Sequence, residues 1–588
     1  MMINFPPAII FIIGALLLPL LPRRVRSAAC LVFPALAIIL LLQLEAGASL
    51  TVPFLDYELV LSRVDRLSLV FGYVFVVIAF LGGVYSFHLK DTLQQATALL
   101  YAGGSLGVVF AGDLFTLFIF WEIMTISSVF LIWTRRTPQS SRVAMRYLMV
   151  HLFGGSVLMA GILWYFTETG SILFNHFETG IASYLILFGF ALNAAVPPLH
   201  AWLADAYPEG TATGSVFLSA FTTKVAVYAL ARGFGGFEIL IWAGTIMAIY
   251  GVVFAVLEND IRRLLAYHII SQVGYMVAAV GIGTAMAING AAAHAFAHIL
   301  YKALLFMGAG AVLYSTGRTK LTELGGLARA MPLILGLYMV GAFSISGFPL
   351  FSGFVSKSMV IYAAEISHLD VVALLLTIAS VGTFLHTGLK LPYFTWFGPD
   401  RSLKPAPVPP GMYLGMALTA GICIAIGVYP ALLYNLLPFA VDYQPYTATH
   451  LTETSQLLIF TGFGFWLLIN KLGGEAMTTL DTDWFYRRPS RLAYRLFVAL
   501  VGRLFDAVDN LTMYITRLII MLSANPAGYL VKARKSAGYH LFGGEQPTPE
   551  PKNFDPHRYR LPLWVMLLVV LLSFVFLMVW IINRGISG

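Results

Sequence analysis

The stretch Asn193-Ala-Ala-Val-Pro197-Pro198-Leu-His200-Ala-Trp202-Leu203-Ala-Asp205 lies in an apolar run that starts near residue 182. Proline deletes a backbone donor and clashes with the preceding turn. Two in succession predict a helix broken at membrane depth. Unwound backbone survives there only where it lines a cavity or is buried in protein. A second stretch has the same character: Ser344-Ile-Ser346-Gly347-Phe-Pro349-Leu-Phe-Ser352-Gly353-Phe-Val-Ser356-Lys357. The expected breaks are at Pro197 and Pro198 in the first and at Pro349 and Gly353 in the second. Paired interrupted spans in two halves of a chain point to an inverted-repeat transporter. These two lie five spans apart, and an odd offset gives the copies opposite orientations. Plain proline kinks are the alternative, which the breaks alone do not exclude.

The surrounding sequence supports membrane depth. Of 588 residues, 59% are hydrophobic and only 11% are Asp, Glu, Lys or Arg; soluble domains carry about 25% charged residues. That excludes a soluble enzyme, a nucleic-acid binder and a secreted disulfide scaffold. The apolar runs are too long for barrel strands, which alternate over about ten residues. The fold class is therefore all-α, a polytopic membrane protein of about 16 transmembrane helices. The spans fall at 8–21, 28–43, 67–88, 93–111, 114–134, 146–167, 182–203, 212–232, 239–257, 264–283, 290–314, 331–362, 371–394, 411–437, 455–470 and 562–583. The first lacks a basic leader and a small-residue cleavage site and reads as a retained span. Cys30 and Cys423 sit in apolar runs and offer neither a disulfide framework nor metal spacing.

Basic residues orient the spans. Alternate loops carry Arg23, Arg24 and Arg26; Lys90; Arg135, Arg136, Arg142 and Arg146; Arg262 and Arg263; Arg318, Lys320 and Arg329; and Arg401 and Lys404. The opposite loops carry Arg63 and Arg66. The positive-inside rule then puts the N-terminus outside. Residues 477–545 break the pattern. After a polar start, Arg491, Arg495, Arg503, Asp506, Asn510 and Arg517 form one polar stripe on a helix reaching about Ala524. This is an amphipathic helix on the cytoplasmic side, lying on lipid or along neighbouring protein.

Ionisable residues inside spans are costly, about 2.5–3.5 kcal/mol each on insertion scales. Glu122 and Lys224 lie mid-span. His294, His298 and Lys302 recur at i, i+4 and i+8 on one helix face. His268 and Lys357 are also within spans, and His386 and Lys390 share a face. A single buried histidine is commonly a hydrogen-bonded core residue, and Lys390 is close enough to a helix end to snorkel. The two histidines at i, i+4 could ligate zinc, but Lys302 would oppose a cation and no carboxylate or cysteine lies nearby in sequence. A hydrated proton relay fits better, because histidine exchanges protons near neutral pH and a desolvated lysine can do the same.

These residues are also where the chain resembles a known family: the antiporter-like subunits of respiratory complex I and the A-type and D-type subunits of Mrp-type multisubunit sodium/proton antiporters. The resemblance covers about residues 60–435. It is carried by Trp121-Glu122; by Pro198-Leu-His-Ala-Trp-Leu-Ala-Asp205; by Asp260-Ile-Arg-Arg-Leu-Leu-Ala-Tyr267-His-Ile-Ile-Ser271-Gln-Val-Gly274-Tyr; by His294-x3-His298-x3-Lys302; and by Gly347-Phe-Pro349-x3-Gly353-Phe-x2-Lys357. It implies proton translocation along a mid-membrane polar axis. Glu122 matches the essential glutamate of the fifth span and Lys224 the central lysine of the eighth. His294, His298 and Lys302 match the connecting relay, and Lys357 the terminal Lys/Glu of the twelfth span. Lys390 is related to Lys224 by the five-span repeat. Asp483-Trp-Phe-Tyr-Arg-Arg488-Pro489 and the helix after it look like a lateral helix that runs along neighbouring subunits. Asn193 departs from the family, which has lysine there. Either Glu122 pairs elsewhere, for instance with Lys224 through water, or this half-channel differs or is silent; His268, where relatives often carry serine, could compensate.

The expected organisation is N-terminal helices at 1–92, a first inverted five-helix repeat at 93–233 and a second at 234–395. Additional helices follow at 396–476, the lateral helix at 477–545, and a linker and final span at 546–588. The expected function is a proton or cation/proton translocating subunit of an Mrp-type or complex I-related assembly, not catalytic by itself. No cofactor and no metal are expected. Partners would be other membrane subunits, protons, possible sodium and the lipid of a bacterial cytoplasmic (inner) membrane. A non-conducting scaffold and a stand-alone solute transporter are the alternatives.

Overall fold

Every expected span falls on a helix or an interrupted helix. The computed structural model describes residues 5–473, 481–482, 484, 489–524, 530, 533–534, 536 and 562–586. The helices are α1 (Pro7–Leu17), α2 (Arg23–Gln43), α3 (Arg66–Tyr85), α4 (Thr92–Phe110), α5 (Leu114–Trp133), α6 (Pro138–Thr169), α7 (Ile181–Asn193), α8 (Ala201–Ala206), α9 (Gly214–Ala220), α10 (Thr222–Gly233), α11 (Glu238–Leu257), α12 (Ile261–Ile282), α13 (Ala285–Thr316), α14 (Pro332–Ser346), α15 (Ser352–Ile366), α16 (Asp370–Thr383), α17 (Pro410–Val428), α18 (Ala431–Tyr434) and α19 (Ala448–Leu468). Ten helical stretches are long and apolar enough to cross a membrane, and shorter apolar helices, α7 and α14 among them, accompany them. The chain divides into two units, residues 1–483 and 484–588. The second holds α20 (Ser490–Ala493), which runs through Tyr494–Ala499 into α21 (Leu500–Ala524), and α22 (Leu563–Ile586). Most of the polar start 483–488 and the whole linker 541–560 lie outside the described residues.

Several of the scarce carboxylates cap helices. Asp65, Asp91, Asp113 and Asp260 each accept backbone N–H groups at the first turn of α3, α4, α5 and α12. A carboxylate there satisfies orphan donors and complements the helix dipole. α12 and α13 lie at the centre, with nearly every residue buried.

Both expected breaks occur. α7 ends at Asn193, the chain passes the cis Pro197–Pro198 bond, and helix resumes at Ala201. α14 ends at Ser346 and α15 starts at Ser352. The two helix ends close alike. Val196 N–H donates to Ala191 O at 3.0 Å, and Phe348 N–H to Phe343 O at 3.0 Å. The residue before each is left-handed: Ala195 (φ 61°) in the first, Gly347 (φ 73°) in the second. A left-handed alanine costs roughly 1–2 kcal/mol more than glycine, so the surrounding packing holds the first break.

Three features were not expected. An antiparallel hairpin, β1 (Ser49–Phe54) and β2 (Tyr57–Arg63), interrupts the all-α pattern. Its β-branched and aromatic residues suit strands, and it clasps the turn before α5, Val60 N–H donating to Asp113 Oδ2 at 2.8 Å. The eighth span is interrupted at Phe221, between α9 and α10. The thirteenth widens into π-helix over Phe384–Lys390 and Tyr393–Phe397.

Candidate functional site: a buried line of lysines and histidines

The interruptions explain how lysines are kept inside. The last carbonyls of a helix have no intrahelical donor and carry partial negative charge. Lys224 Nζ donates to Ser219 O, at the end of α9, at 2.6 Å, and to Thr223 Oγ1 at 3.1 Å. Lys357 Nζ donates to Ile345 O, at the end of α14, at 2.6 Å, and to Ser380 Oγ at 3.3 Å. Lys390 Nζ donates to Val256 O at 2.6 Å and Glu258 O at 3.3 Å, where α11 ends. Each broken or finished helix thus supplies an acceptor to one ammonium. Hydrogen bonds to a charged group contribute about 1.5–3 kcal/mol, enough to offset much of the insertion cost. Gly353 makes the second arrangement possible, since a Cβ there would overlap the Ser344 carbonyl oxygen.

Lys302, in unbroken α13, has no acceptor for Nζ among the described residues. It shares its helix face with His298, both of whose ring nitrogens are buried and unpartnered. The His298 and His294 rings are 6.2 Å apart. His294 Nδ1 lies 3.2 Å from Ser356 Oγ, beside Lys357 in sequence, and its Nε2 lies 3.5 Å from Tyr301 OH. The His268 and His386 rings are 5.6 Å apart, and none of their four nitrogens has a partner among the described residues. Buried polar groups are almost always hydrogen-bonded. A run of bare imidazoles and a bare amine is therefore the unusual feature of this molecule.

A cavity of about 510 Å³ reaches this line at Lys357. Ser380 and Thr377 line it near the lysine. Glu365, Asp442, His450 and Glu453 line it toward the end of α15 and the start of α19. The second break opens onto it through Gly347 and Gly353.

The first break is different. Asp481 packs into it, its carboxylate 3.1 Å from His200 Nε2 and 2.6 Å from the Tyr267 hydroxyl, with the Tyr250 hydroxyl also donating. Burial disfavours the Asp481 charge, but these bonds and the nearby His200 outweigh it and hold its carboxyl well below the usual carboxylate range. Asn193, at the end of α7, pairs with His151: Nδ1 to Oδ1 is 2.9 Å. Glu122 Oε1 is buried without a partner among the described residues.

The structure thus brings His294 beside His298, and His268 beside His386. It gives Lys224, Lys357 and Lys390 carbonyl partners rather than carboxylates, and it leaves Glu122 without the direct lysine contact the family pattern suggests. The sequence alone did not single out Asp481 or His151. His151 was legible as the one ionisable residue in the interior of the sixth span. Asp481 carries no local signal, because its partners lie more than 200 residues away. Among the described residues, no three His, Cys, Asp or Glu side chains gather as a metal site.

Residues 111–384 match the family described as "NADH:quinone oxidoreductase/Mrp antiporter, TM". The match covers 274 of the 588 residues and marks what this chain is similar to. The D-type Na(+)/H(+) antiporter subunit of Alkalihalophilus pseudofirmus is 33% identical over 316 residues, 50% of this chain and 64% of that protein. Among solved structures, a subunit of the archaeal membrane-bound sulfane sulfur reductase superposes with TM-score 0.69 at 23% identity, over 88% of this chain and 98% of that one. A subunit of respiratory complex I from Thermus thermophilus does so with TM-score 0.64 at 24% identity, over 74% and 99%. The chain is an integral membrane protein with the antiporter-like fold, and its relatives are subunits of multisubunit assemblies.

Proposed function

We propose that this chain is a proton-translocating subunit of an Mrp-type antiporter or a complex I-related assembly. The observation that carries the reading is the cavity that ends on Lys357 and continues as the line His294, His298 and Lys302. Protons would exchange with one side of the membrane through the cavity. They would move laterally by transfer among the unpartnered imidazoles and lysines, and reach the far end through Lys224 and Glu122. His268, His386 and Lys390 form a branch toward the end of α11. The sixteen-span topology, the two inverted repeats at 93–233 and 234–395, an outward N-terminus and a bacterial inner membrane belong to this reading. So does a lateral helix from Ser490 to Ala524 bracing neighbouring subunits; its large apolar side chains, Phe505 and Ile519 among them, are exposed. In vesicles holding the whole assembly, Lys357→Ala and Lys224→Ala should each abolish proton flux while the complex still assembles. Unchanged flux in both would end this reading.

A second reading, a non-conducting scaffold, is favoured by Asn193 and the unpaired Glu122. It predicts that Glu122→Gln is silent and that Asn193→Lys changes little.

A further inference from the structure

Asn193 stands where the family resemblance implies a lysine, Glu122 Oε1 has no partner among the described residues, and the same junction holds a histidine. We infer that His151 takes the proton from Glu122 and passes it inward, doing the work of the absent lysine. The inference rests on the proton-translocation reading above.

His151 is fully buried in α6, its ring 4.1 Å from Tyr147 and 4.4 Å from Trp202. The Trp202 indole donates to Leu192 O at 3.0 Å, which fixes the end of α7 against it. The Asn193 amide oxygen lies 2.9 Å from Nδ1, and we assign the ring hydrogen to that nitrogen on the strength of this contact. Nε2 is then the lone-pair nitrogen, able to accept a proton, and it has no partner.

The two neighbouring helices fix the level. On α6, Tyr147, His151 and Gly155 follow at i, i+4 and i+8 and share one face. Ser128 of α5 bonds the Tyr147 hydroxyl at 2.9 Å. Glu122 of α5 lies against Gly155, where a Cβ would collide with its Oε1. His151 thus lies between these two crossing points on α6, as Thr125 does on α5. The Thr125 hydroxyl is buried and unpartnered too, as is Asn193 Nδ2. Four buried polar atoms without a partner among the described residues, Glu122 Oε1, Thr125 Oγ1, His151 Nε2 and Asn193 Nδ2, lie on α5, α6 and α7, where α6 packs against both of the other helices. Most buried polar atoms in proteins are hydrogen-bonded to protein or water, so four of them on three successive packed helices point to a polar passage.

The transfer balances simply. The Glu122 carboxyl's proton reaches Nε2 through a bridging hydroxyl or water, since the two groups are not in direct hydrogen-bond contact, leaving a carboxylate and an imidazolium that attract each other. The imidazolium then passes a proton inward and returns to neutral. The next groups are in place: Tyr147 beside the ring interacts with Thr222, which bonds Tyr101 at 2.6 Å and opens the helix that carries Lys224. Asparagine cannot accept a proton, so Asn193 orients the ring and His151 carries the charge.

The test uses the whole assembly in inside-out vesicles, with proton flux read by a pH-sensitive dye under an imposed cation gradient. His151→Gln keeps a polar side chain but cannot titrate. Flux should fall about tenfold or more, as for loss of a proton-transfer group, with assembly unchanged. Adding Asn193→Lys to that variant should restore flux, because it supplies the lysine that the histidine replaces. Unchanged flux in His151→Gln, with Lys224→Ala inactive, overturns the inference and leaves the general function standing. A loss that Asn193→Lys does not restore marks His151 as structural and also overturns it. Unchanged flux in both Lys224→Ala and Lys357→Ala overturns the inference together with the general function. If His151→Gln fails to assemble, Thr125→Val decides, since it deletes one hydroxyl from the same passage: reduced flux supports the inference and normal flux overturns it.

Discussion

At the scale of the residue, lysine survives in this membrane protein by borrowing helix ends. Lys224, Lys357 and Lys390 each reach a terminal carbonyl at 2.6 Å, whereas Lys302 reaches none. The four should therefore differ when replaced. Lys357→Arg keeps the charge but enlarges the head group and fixes its protonation. Proton flux should fall as far as in Lys357→Ala, although assembly is preserved; flux near the wild-type level would mean that charge alone matters at 357. Lys302→Met removes a buried amine without a partner among the described residues and replaces it with an apolar chain of similar length. It should raise thermal stability by about 1–3 kcal/mol, the cost of an unmet buried group, while abolishing flux. A calorimetric or dye-based Tm on the purified assembly reads the first effect, and the vesicle assay the second. A variant that loses both stability and flux would show that Lys302 is paired in the folded protein.

At the scale of the element, the breaks are built by single residues. Gly353 lets the start of α15 pass the Ser344 carbonyl, which a Cβ would overlap. Gly353→Ala meets backbone, not a movable side chain, and overpacking costs about 1–3 kcal/mol even where side chains yield. Assembled complex should fall sharply in Gly353→Ala, measured by size-exclusion yield, and a normal yield would show that the two helix ends slide apart freely. At the other break, Asp481 is held below the usual carboxylate range by its partners. A depressed carboxyl contributes stability that is fully present above its ordinary value of about 3.9 and is lost as pH falls toward its folded value. The anchor is therefore complete at neutral pH. Asp481→Asn should ease local opening by about 2 kcal/mol, roughly thirtyfold faster amide exchange across 199–206; unchanged exchange would mean the break holds itself. These elements also show what the sequence could express. Pro197, Pro198, Pro349 and Gly353 announced the breaks because proline and glycine act locally. The interruption at Phe221 has no such residue at its break, and the Gly388 and Pro392 at the π-helix do not distinguish a widened turn from an ordinary helix end. Both irregularities are set by what Lys224 and Lys390 must bond, which is tertiary. The hairpin at 49–63 is short, and its hold on Asp113 is again a long-range contact. In the same way, the lysines and histidines were visible as charges out of place, while Asp481 stayed hidden because its meaning lies in Tyr250, Tyr267 and His200.

At the scale of the whole molecule, the cavity is asymmetric in charge. Glu365, Asp442 and Glu453 line it away from Lys357, and the Asp442 to Glu453 stretch contains no lysine or arginine. Low-dielectric walls of one sign focus field lines and raise the local concentration of the opposite ion, which can speed capture by about 10–10³. The cavity should therefore collect protons or sodium ions for Lys357 rather than merely admit water. The triple variant Glu365→Gln, Asp442→Asn, Glu453→Gln leaves the relay untouched and removes only this field. Its flux should be reduced most at low ionic strength and should approach the wild-type rate near 1 M salt, where the screening length is about 3 Å. A deficit of the same size at every salt concentration would mean that one of these carboxylates transfers protons itself. No deficit at any salt would mean that ions reach Lys357 by another route. The salt dependence separates steering from chemistry because a long-range field is screened by the solution, whereas a proton hop between neighbouring groups is not.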